Sequence, residues 1–266
     1  MSTVSVVEVL DVGTGVQSVD RAVTTLEILA RRGTAGPSEV AADLGVHKTT
    51  AFRLLAALES RGLVEQTRER GKYQLGLGLL RLASMVPGRL DIVGQARSVC
   101  TRLAHQFGET VNIAVLRDHF VINLDQARGP AAIAAQNWVG QLTPLHATSS
   151  GKVLLAHRSP TEVDALLKAA GLTRYTPHTV TVRKALRGQL DRAALSGFAV
   201  TIEEYEVGLN AVAAPVRDYT GTVVAAISVS GPAYRLPADR LPELAPALIT
   251  GADEVSANLG FYPPES

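Results

Sequence analysis

His146, Thr148, Ser149, Ser150, Gly151 and Lys152 stand together in the run HATSSGK, and side chains of these types could do three kinds of chemistry. A serine near a histidine can be a nucleophile beside its base, but the G-x-S-x-G turn that exposes such a serine is missing around both Ser149 and Ser150. A Gly-Lys pair can cradle a phosphate, but this run lacks the upstream glycine of a phosphate-binding loop, which argues against a nucleotide site. The third chemistry fits. Thr148, Ser149, Ser150 and Gly151 immediately precede a helical stretch, where backbone N–H groups and hydroxyls can hold a carboxylate or another anion. His146 is then expected to serve a structural hydrogen bond. Ser228 and Ser230 alternate with Ile227 and Val229, so on a strand both hydroxyls share one face, opposite core-facing aliphatics.

A second constellation lies near the amino end. In HKTTAFRLLAALES, read as a helix from His47 to Ser60, Ala51, Leu54, Leu55 and Leu58 fall on one face. The opposite face carries Thr49, Arg53, Ala56 and Ser60, flanked by Thr50 and Phe52, with Lys48 in the first turn. Hydroxyls and a cation that reach base edges or phosphates, among small residues that permit close approach, are what a groove-reading helix needs. Phe52 fits equally as a partly buried core aromatic.

The elements that must position these residues follow from periodicity and punctuation. Val19, Val23, Leu26 and Leu29 give a first helix that ends at Gly33 with Arg31 and Arg32 in its last turn. Ser38 caps a second helix that Gly45 stops. After the third helix, residues 63–65 and 73–75 form two short strands around TRERGK, a wing whose Arg68, Arg70 and Lys72 approach phosphates or the minor groove. Helix, tight turn, helix, then hairpin is the order of a winged helix-turn-helix that enters the major groove of double-stranded DNA. Residues 77–85 continue as a helical stretch closed by Pro87 and Gly88. From Leu90 a long helix runs to Phe107. Beyond it, strand-like segments at 111–117, 119–127, 197–204, 210–217 and 222–231 mix with helical stretches at 149–157, 161–170, 182–196 and 239–259. The fold class is α+β. The division expected is an arm at 1–16, a DNA-binding domain at 17–76, a linker helix at 77–88, an effector-binding domain at 89–260 and a tail at 261–266.

Composition sets the class. With 46% hydrophobic and 19% charged residues in 266, the chain can bury two cores and is not disordered overall. The net charge of +1 is unevenly spread: residues 17–81 hold ten basic against seven acidic side chains, and the remainder beyond them is balanced. That footprint is modest but sits on the segment read as DNA-binding. Cys100 is the single cysteine, which rules out an intrachain disulfide and a cysteine-rich zinc site and points to the cytoplasm; its helical flanks suit a buried, inert thiol. The six histidines show no metal-binding spacing. No cofactor is expected. The amino-terminal segment lacks the pattern of an export signal, and the apolar runs are too short to span a membrane.

The recognition helix, ESRGLVEQ, KYQLGLGLLRLA, PLHATSSGKVLLA, GFAVTIEEYEVGLNAVAAPVRD and GTVVAAISVSGP, in this order, resemble the IclR family of bacterial transcriptional regulators over nearly the whole chain. The resemblance implies a winged helix-turn-helix, a linker helix and a GAF-like effector domain with an antiparallel sheet flanked by helices, assembled as a homodimer or homotetramer on operator DNA. It also implies an effector pocket formed by Ser149, Ser150 and Gly151 with Thr201, Leu209, Ala211, Ser228 and Ser230. The family often has an acidic residue where Thr201 stands and a polar or sulfur-bearing one where Ala211 stands. A small oxoacid effector therefore does not carry over, and a neutral, roomier pocket suits a larger aromatic or amphiphilic acid, with Trp138 as a lining candidate. As a core or interface aromatic, Trp138 needs no ligand at all.

Two function classes follow: a DNA-binding regulator tuned by a small metabolite, and a small-molecule enzyme with a vestigial helix-turn-helix. For the latter, Glu203, Glu204 and Glu206 could act as paired acids, although such a run is commonly solvated or, here, paired with Arg217 across the sheet.

Overall fold

The computed structural model describes residues 16–67, 71–84, 89–130 and 137–261. The chain divides into two compact units, Met1–Pro87 and Gly88–Ser266.

In the first unit, α1 (Gln17–Arg32), α2 (Pro37–Leu44) and α3 (Lys48–Ser60) are followed by the strands β1 (Val64–Gln66) and β2 (Tyr73–Leu75) and by α4 (Gly78–Ser84). Their core joins Ile28, Leu29, Val40, Ala51, Leu55 and Leu58 to Val64 and Tyr73 of the hairpin. Backbone bonds between Ala35 and Tyr73, 3.0 and 2.9 Å, anchor the wing to the turn between α1 and α2. Arg32 grips Asp43 with two bonds of 2.7 and 2.8 Å, tying α1 to α2.

Three details differ from the periodic reading. The buried side of α1 is Thr25, Ile28 and Leu29, while Val19 and Val23 are exposed, because the core lies against the carboxyl half of this helix. Leu54 is half-buried and stands outside the core. Ser38 does not cap α2: Pro37 occupies the first helical turn, its preset φ suits that position, and Gly36 precedes it, with the Gly36 N–H donating to Glu39 Oε2 at 2.7 Å. Gly45, at φ +63, ends α2 as expected. Of the expected 77–88 helix, Gly78–Ser84 is described and 85–88 lies outside the described residues.

The second unit is a six-stranded antiparallel sheet in the order β5-β4-β3-β8-β7-β6. Its elements in sequence are α5 (Arg89–Phe107), β3 (Thr110–Arg117), β4 (Phe120–Ala127), β5 (Leu142–Pro144), α6 (Ser149–Ala156), α7 (Pro160–Ala170), α8 (Arg183–Ser196), β6 (Ala199–Ile202), β7 (Leu209–Arg217), β8 (Val223–Pro232) and α9 (Leu241–Asn258). β5 has no sequence expectation behind it, being three residues long and ending in proline. Strand alternation sends Val111, Ile113, Val212, Ile227 and Val229 to a core shared with α5 and α9. The other face sends Ala114, Val121, Ala213 and Ala226 against the helices α6, α7 and α8. The serines of β8 thus face a second layer of helices rather than water.

Cys100 lies buried on α5, and burial pushes its thiol up to about 12, the state of an inert thiol. Among the described residues no helix is long and apolar enough to cross a membrane, and no cluster of His, Cys, Asp and Glu could hold a metal.

Candidate functional site

His47 is the N-cap of α3; its Nδ1 accepts the Thr49 N–H at 3.3 Å and lies 2.9 Å from Thr49 Oγ1. This cap sets the first turn and leaves Lys48, Thr49, Phe52, Arg53 and Ala56 exposed along one side, with Thr50 half-buried. Phe52, 53% exposed, is not a core aromatic. Among the described residues Arg53 has no carboxylate partner. Ser38 is exposed on α2, and Lys72 is half-buried beside β2. Arg68 and Arg70 lie outside the described residues.

In the second unit a cavity of about 520 Å³, counted to its open mouth, lies between the sheet and the start of α6. Its floor is built from small and polar residues on the α6-facing side of the sheet: Thr201, Ala211, Ser228 and Ser230 sit on β6, β7 and β8, where Thr201 pairs with Ala211 and Ala211 with Ser230.

The wall opposite is the helix start. Thr148 caps α6: its Oγ1 accepts the Gly151 N–H at 3.2 Å and donates to the Pro144 carbonyl at 2.8 Å. The N–H groups of Ser149 and Ser150, first in the helix, have no carbonyl one turn back to bond, and both residues line the cavity. Gly151 does not line it. A Cβ there would overlap the Leu145 backbone, so this glycine lets the helix start press onto the strand-to-helix turn, and its N–H is already used by the cap.

Trp138 and Leu209 complete the set expected from the sequence, and Trp138 is 9% exposed against the cavity. Thr148, already read as part of the helix start, also lines it, and the structure adds Asn112, Val121, Asn123, Thr143, Ala147 and Tyr205. Asn112 and Asn123 carried a legible signal, each being an amide flanked on both sides by aliphatic residues of its strand, Val111 and Ile113 in β3 and Ile122 and Leu124 in β4. Tyr205 carried none, since it stands on a loop. Its ring lies 5.9 Å from that of Trp138 and 5.2 Å from that of Tyr175. Burial, above all, pushes the Tyr205 phenol up to about 12, so it stays a neutral hydroxyl.

Among the described residues, none that lines the cavity is charged. The charges nearest in sequence to the helix start are turned elsewhere. Lys152 is buried in an ion pair with Glu204, which corrects, for that residue of the acidic run, the expectation that it is solvated or paired with Arg217; the Arg217 guanidinium donates to the Gly221 carbonyl at 3.0 Å instead. Glu203 accepts the Gly208 N–H at 2.8 Å, closing the loop that carries Tyr205, and Glu206 is exposed. The Thr179 hydroxyl donates to the Glu204 carbonyl at 2.7 Å, holding the same loop from another side. His146 is buried with Nε2 2.9 Å from the Thr173 carbonyl, the structural bond expected of it. Burial pushes its imidazole pKa down, against the pull of that carbonyl.

Known proteins share both halves of this arrangement. Residues 18–68 match the family model of the IclR helix-turn-helix domain, and residues 85–257 match that of the bacterial transcriptional regulator IclR C-terminal domain. The HTH-type transcriptional repressor AllR of Salmonella typhi is 34% identical over 251 residues, covering 94% of this chain and 92% of that one. The crystal structure of the Thermotoga maritima IclR superimposes with a TM-score of 0.76 at 28% identity, over 92% of this chain and 99% of that one. An IclR homologue from Microbacterium hydrocarbonoxydans, complexed with 4-hydroxybenzoate, gives 0.75 at 27% identity, over 91% and 98% of the two chains.

Proposed function

This chain belongs to the IclR family of bacterial transcriptional regulators, and from that premise we propose that it binds operator DNA with an affinity set by a small carboxylate-bearing metabolite. The family standing makes it a transcriptional regulator with a DNA-binding helix-turn-helix and an effector-binding domain. The observation that carries the finer reading is the outward face of α3: Thr49 and Arg53 are exposed, and Arg53 has no carboxylate partner among the described residues. Thr49, Thr50, Arg53 and Phe52 read the groove; Ser38, His47 and Lys48 contact phosphates around it, and Arg68, Arg70 and Lys72 of the wing do so beyond it.

The effector lies between Ser149 and Ser150 on one side and Thr201, Ala211, Ser228 and Ser230 on the other, its carboxylate on the α6 N–H groups and its body against Trp138 and Leu209. Gly151 contributes by holding the helix start in place. A neutral lining, with Thr201 and Ala211 where acidic and polar groups could stand, suits a body of aromatic size, and the homologue complexed with 4-hydroxybenzoate supports that scale. Domains at 17–76 and 89–260, joined by a linker helix at 77–88, form a cytoplasmic homodimer or homotetramer in which the effector shifts the separation of two recognition helices. Couplings of this kind are ~1–3 kcal/mol, roughly five- to 150-fold in DNA affinity. The enzyme alternative gains no support from His146, which does not line the cavity, and the relatives are named as repressors.

The test is an anisotropy titration of the chain on the DNA upstream of its own gene. Salt-sensitive binding at ~10⁻⁸ M or tighter is expected at a specific site; binding no tighter there than to scrambled DNA would remove the reading.

A further inference from the structure

Asn112 is 4% exposed and lines the cavity from β3. Its neighbours Val111 and Ile113 point into the core on the far side of the sheet, so strand alternation commits the amide to the cavity side. There it is poorly matched. Nδ2 reaches Ser230 Oγ only at 3.5 Å, and Oδ1 has no partner among the described residues. Nearly all buried polar atoms in folded proteins are hydrogen-bonded, and one that is not, at the wall of a cavity, marks a bond left for something that enters.

We infer that Asn112 Oδ1 accepts a hydrogen bond from a hydroxyl of the effector, so that the acid bound in this cavity is a hydroxylated one. This rests on the effector reading above. The two polar ends of the cavity ask for different partners: the Ser149 and Ser150 N–H groups for an acceptor, the Asn112 carbonyl oxygen for a donor. An ammonium could donate, but among the described residues no carboxylate lines the cavity to balance it, and a buried unpaired charge is costly. A hydroxyl donates without charge. Val121, Trp138 and Tyr205 supply the apolar body between the two ends.

The experiment is calorimetric titration of the full chain with matched acids: 4-hydroxybenzoate against benzoate and 4-methoxybenzoate, mandelate against phenylacetate, and lactate against propionate. In at least one set the hydroxylated acid should bind at least about tenfold more tightly than its deoxy partner, since a site built to bond a hydroxyl rejects the analogue lacking it. The methoxy acid, which accepts but cannot donate, should behave like the deoxy one. Asn112→Leu, checked by its melting curve, should bring the ratio to within about twofold, the preference having rested on that one acceptor; the comparison in the unmodified protein stands even if this variant does not fold. Equal affinities in every set, a preference that survives Asn112→Leu, or no binding by any of the seven acids would each overturn the inference. Anisotropy on operator DNA in the same samples separates the two failures. If hydroxylated and deoxy acids bind equally and both shift DNA affinity, only the role of Asn112 falls; if no acid binds and DNA affinity never moves, the carboxylate-effector reading falls with it.

Discussion

Lys152 on α6 and Glu204 in the loop after β6 form an ion pair sealed inside the effector-binding unit, with side-chain exposures of 1% and 7%. Burial pushes the Lys152 ammonium below its usual range, and the Glu204 carboxylate opposes that shift. Glu204 Oε2 has no partner among the described residues, in a medium where an unpaired charge is severely penalised. It ties the helix whose start walls the cavity to the loop that carries Tyr205.

Breaking one side of this pair should be expensive. Lys152→Met or Glu204→Leu alone should lower stability by about 3–5 kcal/mol, while the double variant should recover much of the loss, because two apolar groups leave no stranded charge. Urea unfolding of the four proteins measures the cycle. Additive losses would show that the two side chains are not coupled.

Arg53→Ala should cost about 1–3 kcal/mol in operator binding, as expected for a lost base or phosphate contact, with the fold intact because the side chain is exposed. The salt dependence of binding tells the two contacts apart: a phosphate contact lowers the slope by about one ion, a base contact leaves it and relaxes specificity at one position. Unchanged affinity in a folded variant would take α3 out of the groove.

Ser228→Ala together with Ser230→Ala should blunt the response to the effector and leave DNA affinity in its absence unchanged. Trp138 is the single tryptophan of the chain and lines the cavity, so its emission reports occupancy directly. A full fluorescence response in the double variant would move the ligand away from β8.

Acid should loosen the second unit through His157, at the C-cap of α6. Burial, with Arg217 nearby adding to it, pushes its imidazole pKa down to about 4. The unfolded chain therefore takes up a proton near pH 6.5 that the folded chain refuses until about pH 4. The stability present above pH 6.5 is lost progressively as pH falls through that window. Urea midpoints between pH 7 and 4 should fall less steeply in His157→Gln than in the unmodified protein; parallel curves would show that this histidine is not responsible.

Much of the architecture is written locally. Gly45 ends α2, His47 opens α3, the short strands β1 and β2 fall within a residue of 63–65 and 73–75, and aliphatic alternation marks β3, β7 and β8, because caps, turns and periods depend on residues a few positions apart. The same locality explains the misreadings. Val19 and Val23 have the right spacing for a core stripe, yet both are exposed and stand outside the core, and Ser38 looks like a cap while Pro37 and Gly36 have already begun the helix.

What the amino-acid order alone determined was therefore the order of the elements other than β5, the outward polar face of α3, and the small hydroxyl-bearing positions at 149, 150, 228 and 230. The resemblance to known regulators extended that list to Thr201, Leu209 and Ala211. Only the tertiary structure decided that Asn112, Asn123, Trp138 and Tyr205 meet these residues around one neutral cavity, that Gly151 serves packing, and that Lys152 turns away to Glu204. The physical reason is distance along the chain. Asn112 and Ser230 stand 118 positions apart, and no local period carries information across such a gap; the register of β3 against β8 and the seating of α6 on the sheet bring them together.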